Sequence, residues 1–203
     1  MTILERPGVS LHEACSHVIE TDRLILRAPR LDDAKTVATL ADDRRIAENT
    51  LRIPHPYRLG DAEDWIAAAT LGGGEETFLM VLHDGTVIGS CALRWRDDDT
   101  AEIGYWLGAA HWGRGYATEA SRALVDHAFT EHGVEAIVAG ARTSNPASRR
   151  VLEKCGFQWT NVELHRIRAI SSSAPFDRFR LERTIWASLK SWGRSAARVR
   201  CSA

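Results

Sequence analysis

Between residues 77 and 130 the apolar residues change their period once, and the change falls at a pair of glycines. In "TFLMVLHDGTVIGSCALRW" two apolar runs flank His83-Asp84-Gly85, and an Asp-Gly turn between such runs signals a hairpin. "RDDD" (96–99) is a charged turn, and "TAEIGYWLG" follows it as a third strand, so residues 77–107 read as an antiparallel meander. "YATEASRALVDHAF" instead sets Ala117, Ala120, Leu124 and Ala128 on one helical stripe. Gly113 and Gly115 lie between the strand end at Leu107 and the helix start near Ala117. A chain that carries both periods in this order is α+β or mixed α/β.

The flanking segments extend this reading. The first 20 residues look like an irregular leader, and "RLILRA" (23–28) reads as a short strand ended by Pro29. "LDDAKTVATLADDRRIAENT" has helical periodicity, with Leu31, Ala34, Val37, Ala38 and Ala41 on one face. "GDAEDWIAAATLGGG" reads as a helix with Asp61 as N-cap and the glycine run as its stop. Beyond the central helix, "VEAIVAGA" is a short strand. "NPASRRVLEKCGF" is a brief helix with Asn145 as N-cap, Pro146 at its first position and Gly156 as its stop. "QWTNVELHRIRAI" and "FDRFRLERTIWASL" alternate as strands around a "SSSAP" loop. The expected organisation is a leader (1–20), one domain with one core (21–187) and a tail (188–203).

Composition narrows the function classes. A chain of 203 residues with 44% hydrophobic residues has enough apolar material for a packed core. The formal net charge is −1 with no clustered basic face, so a nucleic-acid partner is not expected, and "GRSAARVR" reads as a solvated tail. The four cysteines (15, 91, 155, 201) form no CxxC pair, and no histidine cluster sits at zinc spacing. They read as free thiols in a reducing cytoplasm, and no metal is expected. The N-terminus lacks an apolar signal region, and no apolar stretch approaches the roughly 20 residues needed to span a bilayer.

The glycines between strand and helix point to a ligand. The first N–H groups of a helix are unpaired and carry the positive end of its dipole. Glycines let an anion approach those donors closely, and phosphate or pyrophosphate suits them best. A P-loop is excluded because no lysine follows. A dinucleotide fingerprint is excluded because Gly113-Arg114-Gly115 is followed by Tyr116, Ala117 and Thr118, after an antiparallel meander.

"AEIGYWLGAAHWGRGYATEA", "NPASRRVLEKCGF" and "LILRAPRLDDA" together resemble the GCN5-related N-acetyltransferase (GNAT) superfamily, within it the ribosomal-protein N-terminal (RimJ/RimL-like) acetyltransferases. The resemblance covers about residues 20–187. It implies a mixed central sheet with an antiparallel N-terminal meander, two splayed parallel central strands and flanking helices. It implies acetyl-CoA as co-substrate, with the pyrophosphate wrapped by Trp112, Gly113, Arg114, Gly115, Tyr116, Ala117 and Thr118. Trp112 stands where the family motif has Arg or Gln. The resemblance also lays the pantetheine arm along Tyr105, Trp106 and Leu107, with residues 135–141 as the second splayed strand.

Amine acetylation needs a neutral amine, oxyanion stabilisation and a proton for the leaving thiolate, but no covalent enzyme intermediate. Cys155 is therefore read as core. Glu102 lies mid-strand on the face opposite Ala101, Ile103 and Tyr105, and is the candidate base; a carboxylate held in a salt bridge is the alternative. Many superfamily members protonate the thiolate with a tyrosine further along, and none follows Tyr116 here. The resemblance offers Ser148 for that role and Asn145 for the pantetheine or acetyl group, while a helix cap accounts equally for Asn145. Among the tryptophans, Trp106 is placed at the acceptor groove. His55 and Tyr57, in "RIPHPYRLGDAEDW", stand where the family builds its acceptor loop. The acceptor is expected to be a protein or peptide N-terminal amine. A small amine (polyamine, amino acid or aminoglycoside) is the alternative enzyme reading, and a non-catalytic acyl-CoA-binding module the alternative outside catalysis. No membrane partner is expected, and the chain reads as a monomer or homodimer.

Overall fold

The computed structural model describes residues 18–71, 74–97 and 99–196. Eight strands form one sheet: β1 (Ile19–Glu20), β2 (Leu24–Arg27), β3 (Glu75–Leu82), β4 (Val87–Trp95), β5 (Thr100–Leu107), β6 (Ala136–Arg142), β7 (Gln158–Ile167) and β8 (Ser172–Glu182). The helices are α1 (Ala34–Ala41), α2 (Arg44–Ala47), α3 (Leu59–Leu71), α4 (Tyr116–Thr130), α5 (Pro146–Lys154) and α6 (Arg183–Ala196). Strand order is β1-β2-β3-β4-β5-β6-β8-β7, and only the β5–β6 pair is parallel. The expected meander is β3–β4–β5, and Gly85 takes φ +88° at its first turn.

Each sheet face buries its own core, and β5 contributes to both because its side chains alternate. Ala101, Ile103 and Leu107 pack with Ala120, Leu124 and Ala128 of α4. Trp106 points the other way, into the core of Val37 and Ala41 of α1 and Ala62 and Ile66 of α3. The helical stripe read from the sequence is thus the face that covers the sheet.

Four expectations are corrected. Ile19 and Glu20 pair with Leu26 and Ile25, so the sheet begins inside the expected leader; residues 1–17 lie outside the described residues. The expected helix over 31–50 breaks at Asp42-Asp43, because Asp43 turns extended (φ −129°) and caps α2 by accepting the Arg45 N–H. Leu31, assigned to its apolar face, is exposed. Asp61 is not an N-cap: α3 starts at Leu59, and the Asp61 carboxylate accepts the Arg58 N–H at 2.9 Å.

The last segment differs most. Residues 172–175 of the expected "SSSAP" loop extend β8, where Ser173, Ala174 and Pro175 pair with Arg166, His165 and Leu164. The strand expected through "ERTIWASL" stops at Glu182 and becomes α6. Ile185 and Trp186 then pack on the first core, and Trp186 stacks on Phe129 at 5.0 Å. α6 runs across the expected 187/188 boundary, and residues 197–203 lie outside the described residues.

Candidate active site

The parallel pairing of β5 and β6 runs from Thr100–Ala136 to Ile103–Ala139 and stops, although both strands continue. A gap opens between Gly104–Leu107 and Gly140–Arg142. The Gly108 N–H donates to the Ile88 carbonyl at 2.9 Å. By antiparallel alternation, Trp106 and Gly104 also turn their main-chain groups toward β4, and Tyr105 and Leu107 turn theirs into the gap.

The glycine loop closes one end of this gap. Gly113 (φ +75°) and Gly115 (φ +84°) are both left-handed, a conformation that a Cβ makes unfavourable. A Cβ on Gly113 would meet nothing within 4 Å, so the approach to the loop is clear. Gly115 precedes α4, whose first-turn N–H groups are available to an anion. Tyr116 and Ala117 pack partly on the first core, Arg114 is exposed, and Thr118 lines a groove with Arg122 and Lys154. The Trp112 indole N–H donates to the Leu107 carbonyl at 2.8 Å, so this tryptophan ties the loop to the strand end.

A clamp that the sequence did not signal holds the loop from behind. Arg23 donates to the Arg114 carbonyl at 2.9 Å and to Glu119 of α4 at 2.7 Å. Glu119 also accepts the Arg23 main-chain N–H at 2.8 Å and the Thr21 hydroxyl at 2.6 Å. Burial by itself pushes the Glu119 carboxyl up, but these bonds outweigh it and hold the group below its ordinary range.

Across the gap, the Tyr105 hydroxyl and the Ser148 hydroxyl lie 2.8 Å apart. Burial pushes the Tyr105 phenol well above its ordinary range, and the Ser148 bond offsets part of that. Asn145 caps α5 as expected, its Oδ1 accepting the Ser148 N–H at 3.1 Å. Its side-chain NH2 remains the donor it has to offer a ligand.

Glu102 is in the salt-bridged alternative. Arg178 donates to one carboxylate oxygen at 2.9 Å and Arg96 to the other, with 13% of the Glu102 side chain exposed. Arg178 reaches Glu102 by crossing β6 at Gly140, where a Cβ would stand 2.8 Å from Nη1. Beside Glu102 on the same face, Gly104 is exposed, and a Cβ there would meet nothing within 4 Å. Gly104 carried a readable signal, a lone glycine inside an alternating strand. Arg178 and Arg23 carried none, because their partners are 76 and 96 residues away.

On the acceptor side the expected residues separate. His55 is partly exposed, with Nδ1 3.2 Å from Asp42. Tyr57, expected to face substrate, is buried between α1 and α3; its hydroxyl donates to the Asp61 carbonyl at 3.2 Å, and burial pushes its phenol up to about 12. Trp106 is partly buried in the same core. Cys91 and Cys155 are buried, and burial pushes their thiols up to about 12 and about 11, so neither is a thiolate at neutral pH. Among the described residues, no helix is long and apolar enough to cross a membrane.

A strand gap closed by a glycine loop on a helix N-terminus is the frame that the resemblance implies for an acyl-CoA-dependent transferase. Residues 23–158 match the model of the acetyltransferase (GNAT) domain, and the chain belongs to that family. It is an N-acetyltransferase that uses acetyl-CoA. The uncharacterized N-acetyltransferase p20 of Bacillus licheniformis is 32% identical over 143 residues, 68% of this chain and 80% of that one. The ribosomal-protein-serine acetyltransferase of Escherichia coli (strain K12) is 31% identical over 86 residues, 41% of this chain and 48% of that one. The spermidine N-acetyltransferase of Vibrio cholerae, solved with CoA and spermine, shares the fold with a TM-score of 0.71 at 19% identity, over 82% of this chain and 99% of that one.

Proposed function

We propose that this acetyltransferase acts on the α-amine of a protein or peptide N-terminus. The observation that carries the reading is the double ion pair on Glu102, the only carboxylate of β5. Arg178 and Arg96 occupy both carboxylate oxygens, so Glu102 acts as a strut between strands and leaves no oxygen free for an incoming amine. An α-amine has a pKa of about 7.7–8.0 and is substantially neutral near pH 7.4, whereas a lysine amine at about 10.4 must first lose a proton. That difference is roughly 4 kcal/mol at neutral pH. A site without a strong base suits the acceptor that needs none. The E. coli ribosomal-protein relative supports a protein acceptor.

In this reading the coenzyme pyrophosphate lies on Gly113, Gly115 and the first N–H groups of α4, with Arg114 and Thr118 at its edge. The pantetheine arm follows the Tyr105 and Leu107 main chain, and the Asn145 NH2 donates to it. The amine attacks the thioester carbonyl directly over Gly104. The thiolate leaves toward Ser148, whose hydroxyl passes it a proton and is resupplied by Tyr105, while the proton shed by the acetylated nitrogen passes through water and restores the Tyr105 phenol.

The test is an acceptor panel with the purified protein and acetyl-CoA, read by mass spectrometry. It contains a peptide with a free N-terminus, the same peptide Nα-acetylated with an internal lysine, and spermidine. The reading expects kcat/KM for the free N-terminus at least about 10-fold above the others, the direction of the pKa difference. A preference for spermidine or lysine overturns it.

A further inference from the structure

Away from the gap, three side chains converge on one point. Glu76 of β3, His127 of α4 and His132 in the turn after α4 place their ligand atoms within 4.8 Å of one another. Glu76 Oε2 is 3.0 Å from Nε2 of each histidine, and the two nitrogens are 3.2 Å apart. We propose that Glu76, His127 and His132 form a binding site for a divalent transition-metal ion, with Zn2+ as its simplest occupant.

The argument is first geometric. A tetrahedral zinc ion with bonds of 2.0–2.2 Å to nitrogen and oxygen separates its ligand atoms by about 3.3 Å. The three edges found here are shorter by only a few tenths of an ångström, so small outward movements admit the ion. Two imidazoles and one carboxylate are also a donor set that suits zinc.

The second argument is placement. The His127 side chain is 7% exposed and meets Phe78 edge-on at 5.9 Å. The His132 ring packs against Trp95 at 4.6 Å and the His127 ring at 4.9 Å. Both rings are therefore oriented before any ion arrives. Glu76 and His132 side chains are 23% and 28% exposed, so the ion has an entry path and a solvent-facing fourth position. His127 lies eleven residues beyond Tyr116, about 16 Å along α4 from the glycine loop. The ion would thus tie the far end of that helix to β3 and take no part in acetyl transfer. The sequence hid the site because Glu76 lies 51 residues before His127.

The test uses the full chain, stripped with a chelator and dialysed. Calorimetry with Zn2+ should give one ion per chain at micromolar affinity or tighter. Co2+ substitution should give the absorption bands of a low-coordinate site. His132→Gln, at a partly exposed position, should keep the wild-type circular dichroism and lose at least about 100-fold in Zn2+ affinity, with the cobalt bands gone. Glu76→Gln provides a second variant with the same expectation. A folded wild-type protein that binds no Zn2+, or Zn2+ binding that both variants retain undiminished, overturns the proposal.

Discussion

The Tyr105 phenol and the Ser148 hydroxyl are 2.8 Å apart, joining the strand at the edge of the gap to α5 across 43 residues. Burial keeps the phenol protonated through the neutral range, so it can hold a proton in reserve behind Ser148. Tyr105→Phe should lower kcat by about 10-fold, at the small end of general-acid effects, while acetyl-CoA affinity measured by calorimetry stays unchanged. If the two act as one unit, Tyr105→Phe/Ser148→Ala should be no slower than Ser148→Ala alone. Fully additive losses would separate the two residues and end the relay.

Glu102 offers a direct choice between base and strut. In the ion-paired reading, Glu102→Gln leaves Arg178, 13% exposed, with only the longer 3.4 Å contact to Glu163 as a charge partner, and should cost about 1–3 kcal/mol in urea unfolding. Transfer to a free N-terminal peptide should stay within about 3-fold of wild type, because an α-amine is already largely neutral. A drop of about 100-fold or more, with loss of the acid limb of the pH–rate profile, would make Glu102 the base after all.

What could be read from the sequence and what could not divide by range. The Asp84-Gly85 turn, the Gly113 and Gly115 loop, and the Asn145–Pro146 start of α5 rest on backbone preferences of a few adjacent residues. All of them stand in the structure. α6 was missed because "FDRFRLERTIWASL" fits a period of two as well as a helix, and only the packing of Trp186 on Phe129 decides. Tyr57 was misplaced because a proline-flanked tyrosine has the same local sequence whether it faces solvent or sits between α1 and α3. The Arg23–Glu119, Arg178–Glu102 and Glu76–His127 pairs exist only once the sheet has formed.

If the coenzyme lies on the glycine loop as proposed, the Arg23–Glu119 clamp should make both stability and coenzyme binding depend on acid. The folded-state carboxyl titrates below its ordinary value, so the unfolded chain binds more protons in the acid range. The contribution is complete above the unfolded pKa of about 4.3 and fades as pH falls through the depressed folded value. Glu119→Gln should therefore cost about 1 kcal/mol at pH 7 and progressively less below pH about 4.3. It should also weaken acetyl-CoA binding at pH 7, because Arg23 holds the Arg114 carbonyl of the loop. Equal destabilisation across the whole pH range would show that the charge of Glu119 is not what matters.

Gly104 separates space from strain. Its φ is not left-handed, and a Cβ there meets nothing within 4 Å, so the fold does not require glycine at this point. Valine suits a strand better than glycine, and Gly104→Val should unfold within about 0.5 kcal/mol of wild type or slightly later. The side chain would nevertheless stand on the face between Glu102 and Trp106, where the amine is proposed to approach. KM for a peptide acceptor should rise by about 10-fold, equivalent to roughly 1.4 kcal/mol of lost binding, with the acetyl-CoA dissociation constant unchanged. A variant with wild-type kcat/KM for the peptide would mean that the acceptor reaches the thioester from another side. Weakened acetyl-CoA binding with unchanged peptide KM would mean that the open space over Gly104 belongs to the coenzyme.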